Sequence, residues 1–127
     1  MIITEIHQES GFANQVWCAV VTKIIGIETG CGFGILAKER YKGKDIIDLD
    51  FGNPVNPQDI RYEYQERLIR NKRGIDISPL DPNMFRVPDG TKIDGNMQSL
   101  YYIEPHKKQV IEWLKIKQDK VILDYSD

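Results

Sequence analysis

The 127-residue sequence predicts an α/β fold: a mostly parallel sheet with flanking helices and irregular insertions, formed as a single domain over 1–127. Three observations predict it. A short run with β-branched bias, Ile2–Ile6, opens the chain and reads as a strand. Val16, Trp17, Val20, Val21, Ile24, Ile25 and Ile27 then recur at helical spacing, on a face wide enough to press against a sheet. A second apolar run, Phe33–Ala37, follows a glycine-rich turn. Strand, helix, strand in that order is a βαβ unit, right-handed by the general rule for parallel crossovers.

Composition narrows the classes. A chain of this length buries roughly two-thirds of its unfolded surface. A net charge of -2 makes no overall case for nucleic acid or an anionic membrane as partner. The longest apolar stretch, Val16–Ile27, is interrupted by Thr22, Lys23 and Gly26, too short and too polar to span a bilayer. With no basic-then-apolar leader in view, the expectation is a cytoplasmic protein without a transmembrane segment. Cys18 and Cys31 make neither a disulfide framework nor a metal quartet, and Cys18 falls inside the helix, where buried free thiols are usual.

The turn between the first strand and the helix is Ser10-Gly11-Phe12-Ala13-Asn14-Gln15. A tight strand-to-helix turn points backbone N–H groups and the helix dipole at whatever lies above it. Gly11 and Ala13 would keep the turn narrow enough for a ligand to reach the backbone. Asn14 and Gln15 put two neutral amides in the first helical turn, able to donate to phosphate or sugar oxygens. Asn14 as an ordinary helix cap is the alternative. His7 lies at the strand's carboxyl end, the edge that faces ligands in open α/β sheets, and reads either as a functional group or as a turn residue.

Further along, Gly30 fits the residue that closes the helix. Gly30-Cys31-Gly32-Phe33-Gly34 is not a dinucleotide fingerprint, because it follows a helix rather than a strand. Asp45–Phe51 alternates partly like a strand, and Asp45, Asp48 and Asp50 read as solvated edge residues rather than metal ligands. Asn56-Pro57 looks like a helix start, yet Ile60, Tyr62 and Tyr64 alternate, and the aromatic residues favour a strand. Arg61, Arg67, Arg70, Lys72 and Arg73 make this the most basic region, read as a solvated face or an acceptor or phosphate contact. Residues 75–89 are irregular, punctuated by Ser78-Pro79, Asp81-Pro82 and Val87-Pro88, with Asp81 placed to cap a turn holding Met84 and Phe85. Thr91–Asp94 is a short strand. Pro105 suits the start of a last helix reaching about Ile116, with Val110, Ile111 and Leu114 as its buried stripe and His106 exposed in its first turn. Val121-Ile122-Leu123 is a brief apolar run near the end.

Two segments carry a family resemblance. Gly11-Phe12-Ala13-Asn14-Gln15 followed by an apolar helix resembles the Gly-Gly-Leu-Gly-Asn-Gln signature that opens GT-B fucosyltransferases, the family 11 α-1,2-fucosyltransferases and, more distantly, the protein O-fucosyltransferases. Ile93-Asp94-Gly95-Asn96-Met97-Gln98-Ser99-Leu100-Tyr101-Tyr102-Ile103 is similar to their Gly-Tyr-(Trp/Phe)-Gln-Ser-x-x-Tyr-Phe segment, in the same order and at a fitting separation. The resemblance implies a Rossmann-like N-terminal domain of a GT-B glycosyltransferase, moving fucose from GDP-fucose to a glycan hydroxyl. It implies no cofactor and no metal. The partners are then a nucleotide sugar, a glycan acceptor and a C-terminal donor-binding domain, since the family's His-x-Arg-x-Gly-Asp-Tyr motif does not occur in these residues. By resemblance, Asn14 touches the donor with help from the Gly11–Ala13 backbone. Gln98 and Ser99 shape the acceptor side. His7, Asp94 and Glu9 are candidate general bases. The alternative from another class is a non-catalytic sugar- or nucleotide-binding module on the same fold.

Overall fold

The computed structural model describes residues 1–77 and 80–114. The expected βαβ unit is present: β1 (Ile2–Glu5), α1 (Phe12–Thr29) and β2 (Phe33–Leu36). β1 and β2 pair in parallel, Ile2 opposite Phe33 through Glu5 opposite Leu36. Gly30 closes α1 in the left-handed region, φ 73°, as its sequence position predicts.

The chain then crosses to the far edge of the sheet. The ambiguous segment after Asn56 resolves as both of its readings in miniature. A single 3₁₀ turn, Pro57–Asp59, is closed by a reciprocal cap between Asn56 and Asp59, and β3 (Tyr62–Gln65) follows. A small antiparallel hairpin comes next, β4 (Ile69–Arg70) and β5 (Asp76–Ile77). Asp81 does cap the 3₁₀ turn Pro82–Arg86, accepting from the Asn83 N–H at 3.2 Å. β6 (Thr91–Asp94) returns between β1 and β3, parallel to both. The sheet is therefore four-stranded and all-parallel, in the order β2-β1-β6-β3.

Two apolar clusters hold the layers together. Val16, Ala19, Val20 and Ile24 of α1 pack on Ile6, Phe33 and Ile35. Val21 and Ile25 pack on Ile2, Ile93, Met84, Met97 and Tyr102. Gly26 of α1 packs against the turn that leads into β2, where an added Cβ would lie 2.6 Å from the Gly32 carbonyl oxygen. Gly26→Ala should therefore destabilise the protein by about 1–2 kcal/mol. The gain of about 1 kcal/mol in helix propensity is outweighed by a clash with backbone that has nowhere to move. A urea titration reading greater stability for the alanine variant would refute this packing.

Three expectations need correction. Asp45–Phe51 is not a strand. The chain turns at Gly43, whose carbonyl accepts from the N–H groups of Ile46 and Ile47, and then touches the β2 edge through one antiparallel bridge, Gly34 to Gly52. The last helix begins as a 3₁₀ turn, Glu104–His106, continued by α2 (Lys107–Trp113); Val110 is buried but Ile111 is exposed. His106 is half-buried, because its Nε2 lies 2.7 Å from Glu28 Oε1 and its Nδ1 lies 3.1 Å from Gln109 Oε1. The expected helix end at Ile116 and the run 121–123 lie outside the described residues.

The Glu28 carboxylate raises the pKa of His106 above its ordinary value. A histidine whose folded pKa exceeds its unfolded one adds stability that is complete below about pH 6.5 and is lost as pH rises through the folded value. Glu28→Gln should thus cost up to about 1 kcal/mol at pH 5.5 and much less at pH 9, a modest effect because Glu28 is partly exposed. Denaturant titrations at both pH values check it. An equal cost at both would show that the pair carries no charge term.

Candidate functional site

In an open parallel sheet, the carboxyl ends of neighbouring strands diverge where the strand order reverses, and a crevice opens there. Here β1 sends the chain to β2 on one side and receives β6 on the other, so that point lies between β1 and β6. A polar cleft of about 390 Å³ occupies it.

Each wall has a local cause. Lys92 and Asp94 are two apart on β6 and share a face, and Glu5 and His7 do the same at the end of β1. The alternation that buries Ile93 therefore delivers Lys92 and Asp94 to the cleft. Lys92 Nζ sits 3.5 Å from Glu5 Oε1 and 3.3 Å from Asp94 Oδ2. Arg40 Nη1 reaches Glu5 Oε2 at 3.4 Å. His7 stands between the two carboxylates, Nε2 at 3.7 Å from Asp94 Oδ1 and Nδ1 at 4.0 Å from Glu5 Oε2. Its side chain is 47% exposed, so the ring is held loosely and open to solvent. Two carboxylates facing one lysine and one arginine leave the floor close to neutral. Gln65 at the end of β3, Asn96 beyond β6 and Asn14 on α1 complete the polar rim.

The two expected catalytic residues, Asn14 and His7, both reach this cleft. Asn14 is not the helix cap. Gly11 occupies that position without a side-chain cap, and the exposed Asn14 amide forms no hydrogen bond with any described residue. Asp94 also lines the cleft, whereas Glu9 does not.

The other expected contacts are placed differently. Gln15 lines the cleft as well, but it is buried and already committed. Its Nε2 donates to the His7 and Arg40 carbonyls at 3.1 and 3.2 Å, and its Oε1 accepts from Lys42 N–H at 2.9 Å. It ties strand end, helix and loop together rather than offering its amide to a ligand. Gly11, Phe12 and Ala13 do not line the cleft. The Phe12 ring lies 6.3 Å from that of Tyr41 and fills the space beside Gly43, where a Cβ would fall 2.1 Å from it. Gly11 has φ -70° and open space around it, so nothing there requires glycine. Ser99 Oγ caps a 3₁₀ turn by accepting from Tyr101 N–H at 3.3 Å, and Gln98 Nε2 donates to the Asn96 carbonyl at 2.6 Å; neither lines the cleft.

Behind the cleft lies a buried polar network that the sequence did not announce. Glu66, 1% exposed, accepts from Met97 N–H through Oε1 at 2.8 Å and from the Tyr102 hydroxyl through Oε2 at 2.9 Å. Tyr102 accepts from Asp81 N–H at 2.7 Å, and Asp81 accepts from the Tyr64 hydroxyl at 2.6 Å and from Arg67 N–H at 3.0 Å. Burial tends to raise the Asp81 carboxyl, but the Tyr64 hydroxyl and the N–H groups of Arg67 and Asn83 outweigh it and hold the pKa below the usual range. The network fixes the 95–97 turn, in which Met97 takes φ 52°, and so sets the cleft's back wall. Cys18, also in the wall, is no nucleophile: burial, helped by the Glu66 charge, pushes its thiol up to about 12. Both cysteines are unbridged, and no cluster of metal-ligating side chains occurs among the described residues. No helix among them is long and apolar enough to cross a membrane.

Comparison with protein-family models, with curated proteins and with solved structures gave no match.

Proposed function

We propose that this chain is the acceptor-side half of a GT-B glycosyltransferase of the fucosyltransferase type, with the β1–β6 cleft as its sugar site. The observation that carries the reading is the cleft's make-up. Paired carboxylates, free carboxamides and one lysine on a nearly neutral floor suit the alternating donors and acceptors of sugar hydroxyls. A phosphate would want unpaired cations or helix N–H groups. Lys92 is paired with Glu5 and Asp94, and Gly11, Phe12 and Ala13 at the start of α1 lie outside the cleft, although Asn14 and Gln15 line it.

In this reading an acceptor hydroxyl sits against His7, which takes its proton as the oxygen attacks the anomeric carbon and the bond from that carbon to the diphosphate breaks, GDP leaving on the donor-binding domain. Glu5 and Asp94 flank the ring and stabilise the imidazolium that forms. Asn14 donates to a sugar oxygen across the cleft. The nucleotide sugar is held by a donor-binding domain carrying the arginine motif, so residues 1–127 alone bind acceptor and transfer nothing. The setting is cytoplasmic, and no cofactor takes part.

The same cleft would serve a non-catalytic sugar-binding module, which the placement of Gly11–Ala13 outside the cleft favours. An amide-shift titration tests the shared part of both readings. Neutral fucosylatable oligosaccharides should move the signals of His7, Asn14, Gln65 and Asn96 at millimolar concentration. Micromolar binding of GDP-fucose centred on Gly11–Ala13 would overturn the assignment of acceptor to cleft. Transfer regained on adding the donor half separates enzyme from module.

A further inference from the structure

The net charge of -2 conceals a separation. Between residues 67 and 77 there are four basic residues, Arg67, Arg70, Lys72 and Arg73, and one acidic residue, Asp76, opposite Arg70 in the strand register, so the remainder of the chain carries -5. These residues belong to the β4–β5 hairpin, which leaves the sheet at the cleft rim, where Leu68 forms part of the wall. Its tip is well built. Asn71 Oδ1 accepts from the N–H groups of Arg73 and Ile75 at 2.9 and 3.0 Å, and Gly74 turns the chain at φ 77°. That turn presents Lys72 and Arg73 to solvent. The same hairpin exposes large aliphatic side chains: Ile69 is 44% and Ile75 55% exposed.

We infer that the 67–75 hairpin is a docking element for an anionic lipid surface. The two features demand one partner together. Exposed cations seek a sheet of negative charge, and exposed isoleucines beside them gain only if they leave water for hydrocarbon. A soluble polyanion satisfies the first and leaves the second wet. A neutral protein groove satisfies the second and leaves Lys72 and Arg73 uncompensated. The interface of a membrane containing acidic phospholipid satisfies both, with basic head groups at the phosphate level and short aliphatic anchors just below. The docking holds the cleft rim against the surface, and it stands whether or not the cleft binds a sugar.

Co-sedimentation of the 127-residue chain with vesicles tests it. Binding should appear with vesicles of mixed phosphatidylcholine and phosphatidylserine, be absent with phosphatidylcholine alone, and weaken between 50 and about 500 mM salt. Lys72→Ser/Arg73→Ser should lower partitioning about 25-fold, near fivefold for each charge removed. Ile69→Ser/Ile75→Ser, which leaves every charge in place, should lower it at least about tenfold by removing the anchors. Both variants alter exposed side chains, and circular dichroism checks that each remains folded. Failure of the unaltered chain to bind acidic vesicles overturns the inference. So does full binding by the isoleucine variant together with equal capture on heparin, which would make the hairpin a site for soluble polyanions.

Discussion

Glu66→Ala should cost the folded state about 3–5 kcal/mol, a large share of the stability of a domain this size. The side chain is buried, and each carboxylate oxygen holds one donor: the Met97 N–H at 2.8 Å and the Tyr102 hydroxyl at 2.9 Å. Truncation strands the Met97 N–H and takes the Glu66 oxygen away from the Tyr102 hydroxyl. A buried donor left without its partner costs about 1–3 kcal/mol, and the vacated volume adds to that. The Tyr102 hydroxyl also lies 3.8 Å from the Met84 sulfur; the Met97 N–H has no second acceptor among the described residues. Relief of the carboxylate's own desolvation offsets part of the loss. Glu66→Gln should cost less, about 1–2 kcal/mol, since its carbonyl can keep the Met97 bond while the Tyr102 hydroxyl must turn. Urea unfolding of the two variants beside the unaltered chain measures both. A cost below about 1 kcal/mol for the alanine variant would mean that the network does not hold the 95–97 turn.

Glu66 also shows where sequence reading reaches its limit. In a stretch with five basic residues it passes for one more solvated charge, and its burial follows from tertiary closure alone. Gly95 packs against it, and an added Cβ there would fall 2.4 Å from the Glu66 Cβ. No periodicity encodes that contact. The parallel sheet was legible because its signals are local: β-branched runs, a wide apolar helix face, a closing glycine. The aromatic alternation at Tyr62 and Tyr64 correctly outweighed the helical spacing of Ile60 and Tyr64.

Asp45–Phe51 misled for an instructive reason. Ile47, Leu49 and Phe51 are half-buried while Asp48 and Asp50 face water, so the alternation is real. Among the described residues it forms no ladder with β2, which the chain meets through the single bridge at Gly52. Period-two burial, without a long partner edge, makes a covering loop rather than a strand. The candidate site was half legible. His7 and Asp94 could be placed because strand ends in parallel sheets face a crevice. Lys92 carried the same signal, a charge two residues from Asp94 on an otherwise buried strand, and went unread. Of the Gly11–Gln15 turn only Asn14 and Gln15 line the cleft, because sequence spacing alone does not say that Phe12 packs beside Tyr41 or that Gln15 spends its amide on the backbone.

The proposed chemistry rests hardest on His7. In a polypeptide that joins this domain to its donor-binding half, His7→Gln should lower kcat about a hundred- to ten-thousandfold, the range for removing a general base. The fold should barely notice. The ring is half exposed, its nearest charged atoms are 3.7 and 4.0 Å away, and such open pairs contribute about 0–1 kcal/mol. Asn14→Ala is the companion test. If Asn14 donates to an oxygen that gains charge, the rate should fall about a hundred- to a thousandfold. As Gly11 is the cap, that change removes no capping bond, and the better helix propensity of alanine should leave the melting temperature level or slightly higher. Rate loss without stability loss is thus expected for both variants. The opposite pattern, stability lost and turnover per folded molecule kept, would place His7 and Asn14 in the scaffold. Unchanged values on both counts would move the chemistry out of the β1–β6 cleft altogether.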